Sequence, residues 1–149
     1  MKKIHVLALM IVLWAGTVNA QKPQRAKIVC GPYVQCMTET SFTVIWTTDV
    51  DAVAWVEVAP DDGTHFYNKE RDKYYDASGN GVFPIGKIHK VVVDGLEPGS
   101  TYRYRVMNRG VIAYNGSGNV QYMHGSGTDV YKGEPHKITT FKEDYDTIR

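Results

Sequence analysis

HKVVVDGLEPGSTYRYRV, residues 89–106, is the stretch whose reading decides the fold. His89, Val91 and Val93 alternate with Lys90 and Val92, the period-two pattern of a strand that turns one face inward. Asp94-Gly95 stops that strand, and Leu96-Glu97-Pro98-Gly99 leads into a second alternation. There Tyr102, Tyr104 and Val106 point one way while Arg103 and Arg105 point the other.

Outward from this unit the chain keeps the same character. Upstream, Ser41 to Thr47 places Phe42, Val44 and Trp46 on one face and Thr43, Ile45 and Thr47 on the other. Ala52 to Ala59 sets Ala54, Val56 and Val58 against Trp55 and Glu57, and Pro60-Asp61-Asp62-Gly63 forms a turn. Lys27 to Val34 reads as a first strand interrupted by Pro32, and His136 to Phe141 as the last. Two stretches break the rhythm. One runs from Thr64 through a charged, tyrosine-bearing segment to the glycine-containing loop ending at Gly86. The other spans residues 110–135, which hold six of the 14 glycines without a sustained apolar pattern. Both read as long loop insertions between strands. No helical period occurs after residue 20, so the expected class is all-β.

About seven short strands, a Trp on the second, and a Tyr opening the sixth just after a Leu-x-Pro turn suggest an immunoglobulin-like two-sheet sandwich. The stretch from His89 to Val106 resembles the fibronectin type III pattern. In that pattern Leu96, Pro98 and Tyr102 form a tyrosine corner, with Trp46 and Tyr104 in the structural core. More narrowly, the chain resembles the N-terminal fibronectin-like domain of purple acid phosphatases and related calcineurin-like metallophosphoesterases. The matching pieces are Gly31-Pro32-Tyr33, Ser41 to Thr47 with Trp46, Gly86-Lys87-Ile88-His89, Gly95-Leu96, and Tyr102-Arg103-Tyr104, covering about Ile28 to Phe141. The resemblance implies a module standing in front of a hydrolase domain with a dinuclear metal centre. The D-x-H, G-D, G-N-H and G-H-x-H motifs that supply that centre's ligands are absent here. No catalytic residue, metal ligand or cofactor is therefore expected in this chain, and its own C-terminal catalytic domain is the expected partner.

The termini carry their own expectations. Lys2-Lys3, an apolar run from Val6 to Trp14 and Val18-Asn19-Ala20 form the three parts of a secretory signal peptide cleaved after Ala20. That places the protein in the secreted or periplasmic space, with residues 21–27 as a lead, 28–141 as the domain and 142–149 as a linker. The apolar run is too short to span a bilayer, so no membrane association is expected after cleavage. Removing Lys2 and Lys3 leaves 15 basic residues against 16 acidic ones, a formal net of −1. Neither a basic face nor a basic amphipathic helix appears, which argues against nucleic acid as a partner.

Other constellations are weak. His65, His89, His124 and His136 are isolated from one another in sequence, and His89 alternates with core valines like a hydrogen-bonded strand residue. Asp49, Asp51, Asp61 and Asp62 miss the calcium-loop spacing, because Val53 stands where an oxygen ligand is needed. Gly116 to Gly127 lacks the phosphate-loop pattern, and Ser126 lacks a nucleophile-elbow context. Asn115-Gly116-Ser117 fits a glycosylation acceptor but is common by chance. Cys30 and Cys36 on one extended strand would lie about 20 Å apart, beyond disulfide reach, and a bridge would require the chain to fold back at Gly31-Pro32. Tyr67, Tyr74 and Tyr75, among Lys69, Glu70, Arg71, Asp72 and Lys73, form a candidate contact surface. On that surface rests the alternative reading, a free-standing extracellular module binding carbohydrate or protein.

Overall fold

The computed structural model describes residues 25–77, 83–130 and 133–142. The expected signal peptide, and all of the linker past Lys142, lie outside them. Seven strands follow in order: β1 (Ile28–Gln35), β2 (Phe42–Pro60), β3 (Asp72–Tyr75), β4 (Gly86–Val93), β5 (Thr101–Tyr114), β6 (Val120–Thr128) and β7 (His136–Thr139). One 3-10 turn, Phe66–Asn68, interrupts them. All pairings are antiparallel, and the sheet curls into an immunoglobulin-like sandwich.

The two segments Ser41–Thr47 and Ala52–Ala59, read as separate strands, are one 19-residue strand, β2. Its first half pairs with β1 and β4, and its second half with β3 and β5. Laid straight it would be about 60 Å long. Yet Phe42 at its start packs 5.4 Å from the Tyr104 ring, whose strand partner is Val58 near its end. The strand therefore doubles back, and the register break between Thr47 and Ala52 marks the bend. Both halves then contribute inward side chains to one core: Phe42, Val44 and Trp46 from the first, Ala54, Val56 and Val58 from the second. Val91 and Val93 of β4 and Tyr104 and Val106 of β5 complete it, with Leu96 at the end.

Four polar contacts hold the bend. The Thr48 hydroxyl donates to the Val50 carbonyl at 2.7 Å, so it can only accept from His89, whose Nε2 lies 2.9 Å away. That fixes the Nε2–H tautomer of a ring that is 1% exposed and stacked 5.4 Å from Trp46. The Lys27 backbone N–H donates to the Asp49 carboxylate at 2.8 Å, and the Asp49 N–H returns a bond to the Lys27 carbonyl at 3.0 Å. In β1, Gly31 has φ +89 and a Cβ there would meet the Ile45 carbonyl at 2.8 Å, so only glycine lets β1 lie this close to β2.

At the other end, the Tyr102 hydroxyl accepts the Glu97 backbone N–H at 2.9 Å, closing the tyrosine corner. Residues 110–135 differ from a simple loop. β5 runs on to Tyr114, the chain turns through Asn115–Asn119, and β6 returns beside it. Asn115 shapes the turn by accepting from the Ser117 N–H and hydroxyl at 3.1 and 2.8 Å. Gly127 is required in β6 because the Ala26 carbonyl crosses directly over it. Within the Thr64–Gly86 stretch, the 3-10 turn and β3 supply order of their own. Cys30 and Cys36 are both exposed and free.

Two outcomes are expected. Tyr102→Phe leaves the sandwich folded but less stable by about 0.5–1.5 kcal/mol, since the bond lost is neutral and its exposed peptide partner can turn to water. An unchanged urea midpoint and slope would show that the hydroxyl makes no such bond. Burial lowers the His89 pKa, with the Asp76 charge opposing it more weakly. The unfolded chain then takes up this proton first, so the stability His89 contributes is complete above about pH 6.5 and is lost as pH falls toward the depressed folded value. His89→Gln flattens that part of the stability profile by up to about 1.4 kcal/mol per pH unit, and an identical profile in the variant would contradict the assignment.

Candidate functional site

The densest polar construction lies on the outer face of the layer made by the second half of β2 and by β5. Residues 103 and 105 point outward from β5 because Tyr104 points in. Arg105 grips Glu57 of the neighbouring strand, Nε to Oε2 at 2.7 Å and NH2 to the same oxygen at 2.6 Å. Arg103 is 7% exposed and every part of its guanidinium is engaged. It donates to the Pro60 carbonyl at 2.8 and 3.2 Å, to the Thr64 carbonyl at 2.5 Å and to the Asp62 carboxylate at 2.9 Å. Phe66 covers both, with Arg71, Arg103 and Arg105 at 5.2, 5.9 and 5.8 Å from its ring centre.

This arrangement anchors the Asp61–Arg71 segment on the sheet. Arg71 ties the segment to itself through the Phe66 and His65 carbonyls at 2.7 and 2.8 Å. The hydroxyl and N–H of Thr64 hold the Asp62 carboxyl below its ordinary pKa. A cleft of about 350 Å³ beside Arg103 is lined by Asp61, His65, Tyr67, Glu134 and Lys137 among others. Its cations are paired, because Lys137 reaches Asp61 at 2.8 Å and Arg103 is saturated. Among the described residues, the lysine and arginine that line the cleft are thus both committed to protein acceptors.

The three candidate tyrosines are distributed rather than gathered. Tyr67 lies in the anchored segment, donating to the Gly133 carbonyl at 2.7 Å with Arg105 5.0 Å over its ring. Burial raises its pKa. Tyr74 and Tyr75 are consecutive on β3 and so face opposite ways. Tyr74 packs against the core. Tyr75 points out, 6.1 Å from Trp55 and 4.7 Å from Phe83, giving a short aromatic row. Of the structural residues, Trp46 is fully buried, Leu96 and Tyr104 are 7% and 5% exposed, and Pro98 sits in the exposed turn beside Tyr102. Burial pushes the Tyr104 hydroxyl up to about 12.

The histidines stand on separate elements: His65 before the 3-10 turn, His89 on β4, His124 on β6, His136 on β7. His89 is committed to Thr48, and the His136 Nε2 meets the Asp129 carboxylate, which also accepts the Val106 N–H at 3.1 Å. Among the described residues no three His, Cys, Asp or Glu side chains converge as a metal site. A dinuclear centre does not fit the donors present. Nor, among those residues, is any helix long and apolar enough to cross a membrane.

Sequence reading passed over two features. The Arg103–Arg105–Phe66 cluster shows only as arginines on an outward register, with nothing local to announce Phe66 as their cover. The β5–β6 hairpin did carry a signal, Asn115-Gly116 between two β-rich runs.

The comparisons with known proteins bear on this fold and its outer faces. No curated protein matches the chain. The family model described as the purple acid phosphatase N-terminal domain matches residues 32–121, from the bulge of β1 through the β5–β6 hairpin. That match covers more than half of the 149 residues, and the chain belongs to the purple acid phosphatase N-terminal domain family.

Proposed function

We propose that this chain is the non-catalytic front module of a secreted, metal-dependent phosphoesterase of the purple acid phosphatase kind. The chemistry would reside in a domain that follows Arg149. The family match over residues 32–121 carries this reading. It is supported by the way these polar side chains are spent: Arg103, Arg105, His89 and His136 all serve the sandwich's own contacts. Phosphoester hydrolysis of the two-metal type needs ions about 3.5–4 Å apart, held by ligands converging from several elements. The module's role is mechanical, giving the hydrolase domain a rigid neighbour. Export through residues 1–20 would deliver the whole to the secreted or periplasmic space.

The expected result is that residues 21–149 stay at the buffer rate with an aryl phosphate and any added divalent or trivalent metal, from acid to mildly alkaline pH. A chain extended past Arg149 gains metal-dependent turnover. Turnover by the short chain that co-elutes with it on size exclusion and disappears with a chelator would overturn the proposal.

A further inference from the structure

The two outer faces of the sandwich are finished differently. Over β5 and the second half of β2, Phe66 and Tyr67 lie across the arginines, and Phe66 is 3% exposed. Among the described residues, outward side chains of β1 and β4 remain exposed on the other face, while Thr43 of β2 between them is buried and Ile45 and Thr47 are half-buried. Their register sets three rows: Gln35, Thr43 and Val92; then Tyr33, Ile45 and Lys90; then Cys30, Thr47 and Ile88. A water-facing sheet surface ordinarily alternates to polar residues. Here Ile88 is 75% exposed, Tyr33 56% and Val92 48%. Tyr33, Ile88 and Val92, with the half-buried Ile45 among them and Lys90 between the two β4 residues, make a largely apolar strip, and an exposed apolar grouping of this kind marks an interface.

The path of the chain indicates what covers it. The Phe141 N–H bonds the Thr38 carbonyl at 3.1 Å, and the Gly99 N–H bonds the Phe141 carbonyl at 2.9 Å. The chain therefore leaves the sandwich between the β1–β2 turn and the β4–β5 turn. These turns bound the open face at its Gln35–Thr43–Val92 row. Phe141 itself is 54% exposed at the exit. From Val92 to Ile88 the strip is about 13 Å long, so all of it lies near the point where any following domain is tethered. A second exposed apolar group, Phe83, Ile112 and Tyr114, belongs to the far end of β5, about 40 Å along the strand from Thr101.

We infer that the Tyr33–Ile88–Val92 face of β1, β2 and β4 is the docking face for the hydrolase domain. This rests on the reading that such a domain follows Arg149. Apolar burial of this strip would set the two domains in one fixed orientation.

Cys30 provides a native reporter, since it is exposed in the third row with its Sγ 3.2 Å from the Tyr33 hydroxyl. Alkylation of Cys30, followed on its own peptide by mass spectrometry, is compared in the 149-residue chain and in the extended chain, both carrying Cys36→Ser. The expected result is alkylation at least about tenfold slower in the extended chain, because a covered thiol is not reached. Ile88→Lys with Val92→Lys in the extended chain restores the rate and leaves phosphatase turnover measurable. Equal rates in an extended chain that hydrolyses an aryl phosphate would overturn the docking face while leaving the proposed function standing. An extended chain without turnover, or a reading frame that stops at Arg149, overturns both. Protection already present in the short chain and lost on dilution would identify a second copy as the occupant, and would also overturn the inference.

Discussion

The sandwich depends on one constraint, the doubling back of β2 at Thr47–Ala52. A single strand supplies both layers with their central member, and the bend brings its two ends across the core from each other. β1 pairs with the first half and β4 almost wholly so, reaching past the bend only at Ala52–Gly86, while β3 and β5 pair with the second half. Thr48 and His89 hold that bend from within, and the Lys27–Asp49 bonds clasp it from outside. Burial of His89 costs little while the ring is neutral and its N–H is bonded, and much more once the ring is charged. One ring thus links the geometry of both layers to pH.

The remaining polar chemistry is structural in the same sense. Arg105–Glu57 and the Arg103 bonds lie on partly covered sheet surface, where ion pairs fix geometry more than they add net stability. Their product is the closed Asp61–Arg71 segment, with Phe66 packed among three guanidiniums. The protein has finished one face of its sandwich with its own residues. On the face made by β1, β4 and the first half of β2, Tyr33, Ile88 and Val92 stay exposed among the described residues, and the chain exits at its border.

The alternating strands were legible because a period of two assigns each side chain to a face without tertiary information. Phe42, Val44, Trp46, Ala54, Val56, Val58, Val91 and Val93 are all buried on the faces the pattern assigns them. The continuity of β2 was not legible, since the apolar alternation lapses over Thr48–Asp51, where pairing to Ile28 and the contacts of Thr48 and Asp49 carry the strand on. The β5–β6 hairpin was masked by its glycines. Gly127 in particular looks like loop punctuation, and its cause, the Ala26 carbonyl crossing above, is distant in sequence. The aromatic grouping failed to be legible for a related reason. Tyr74 and Tyr75 are neighbours in sequence, but a strand sends neighbours to opposite faces.

Native-state hydrogen exchange on β2 tests the central claim most directly. If one bent strand organises both layers, the amides of Val44 and Trp46 and those of Val56 and Val58 exchange only through a shared global opening. They would then show the same free energy and the same denaturant dependence. Exchange of one half through a separate, lower-energy opening while the other stays protected would contradict it, showing two sheets that fold independently and merely share a chain.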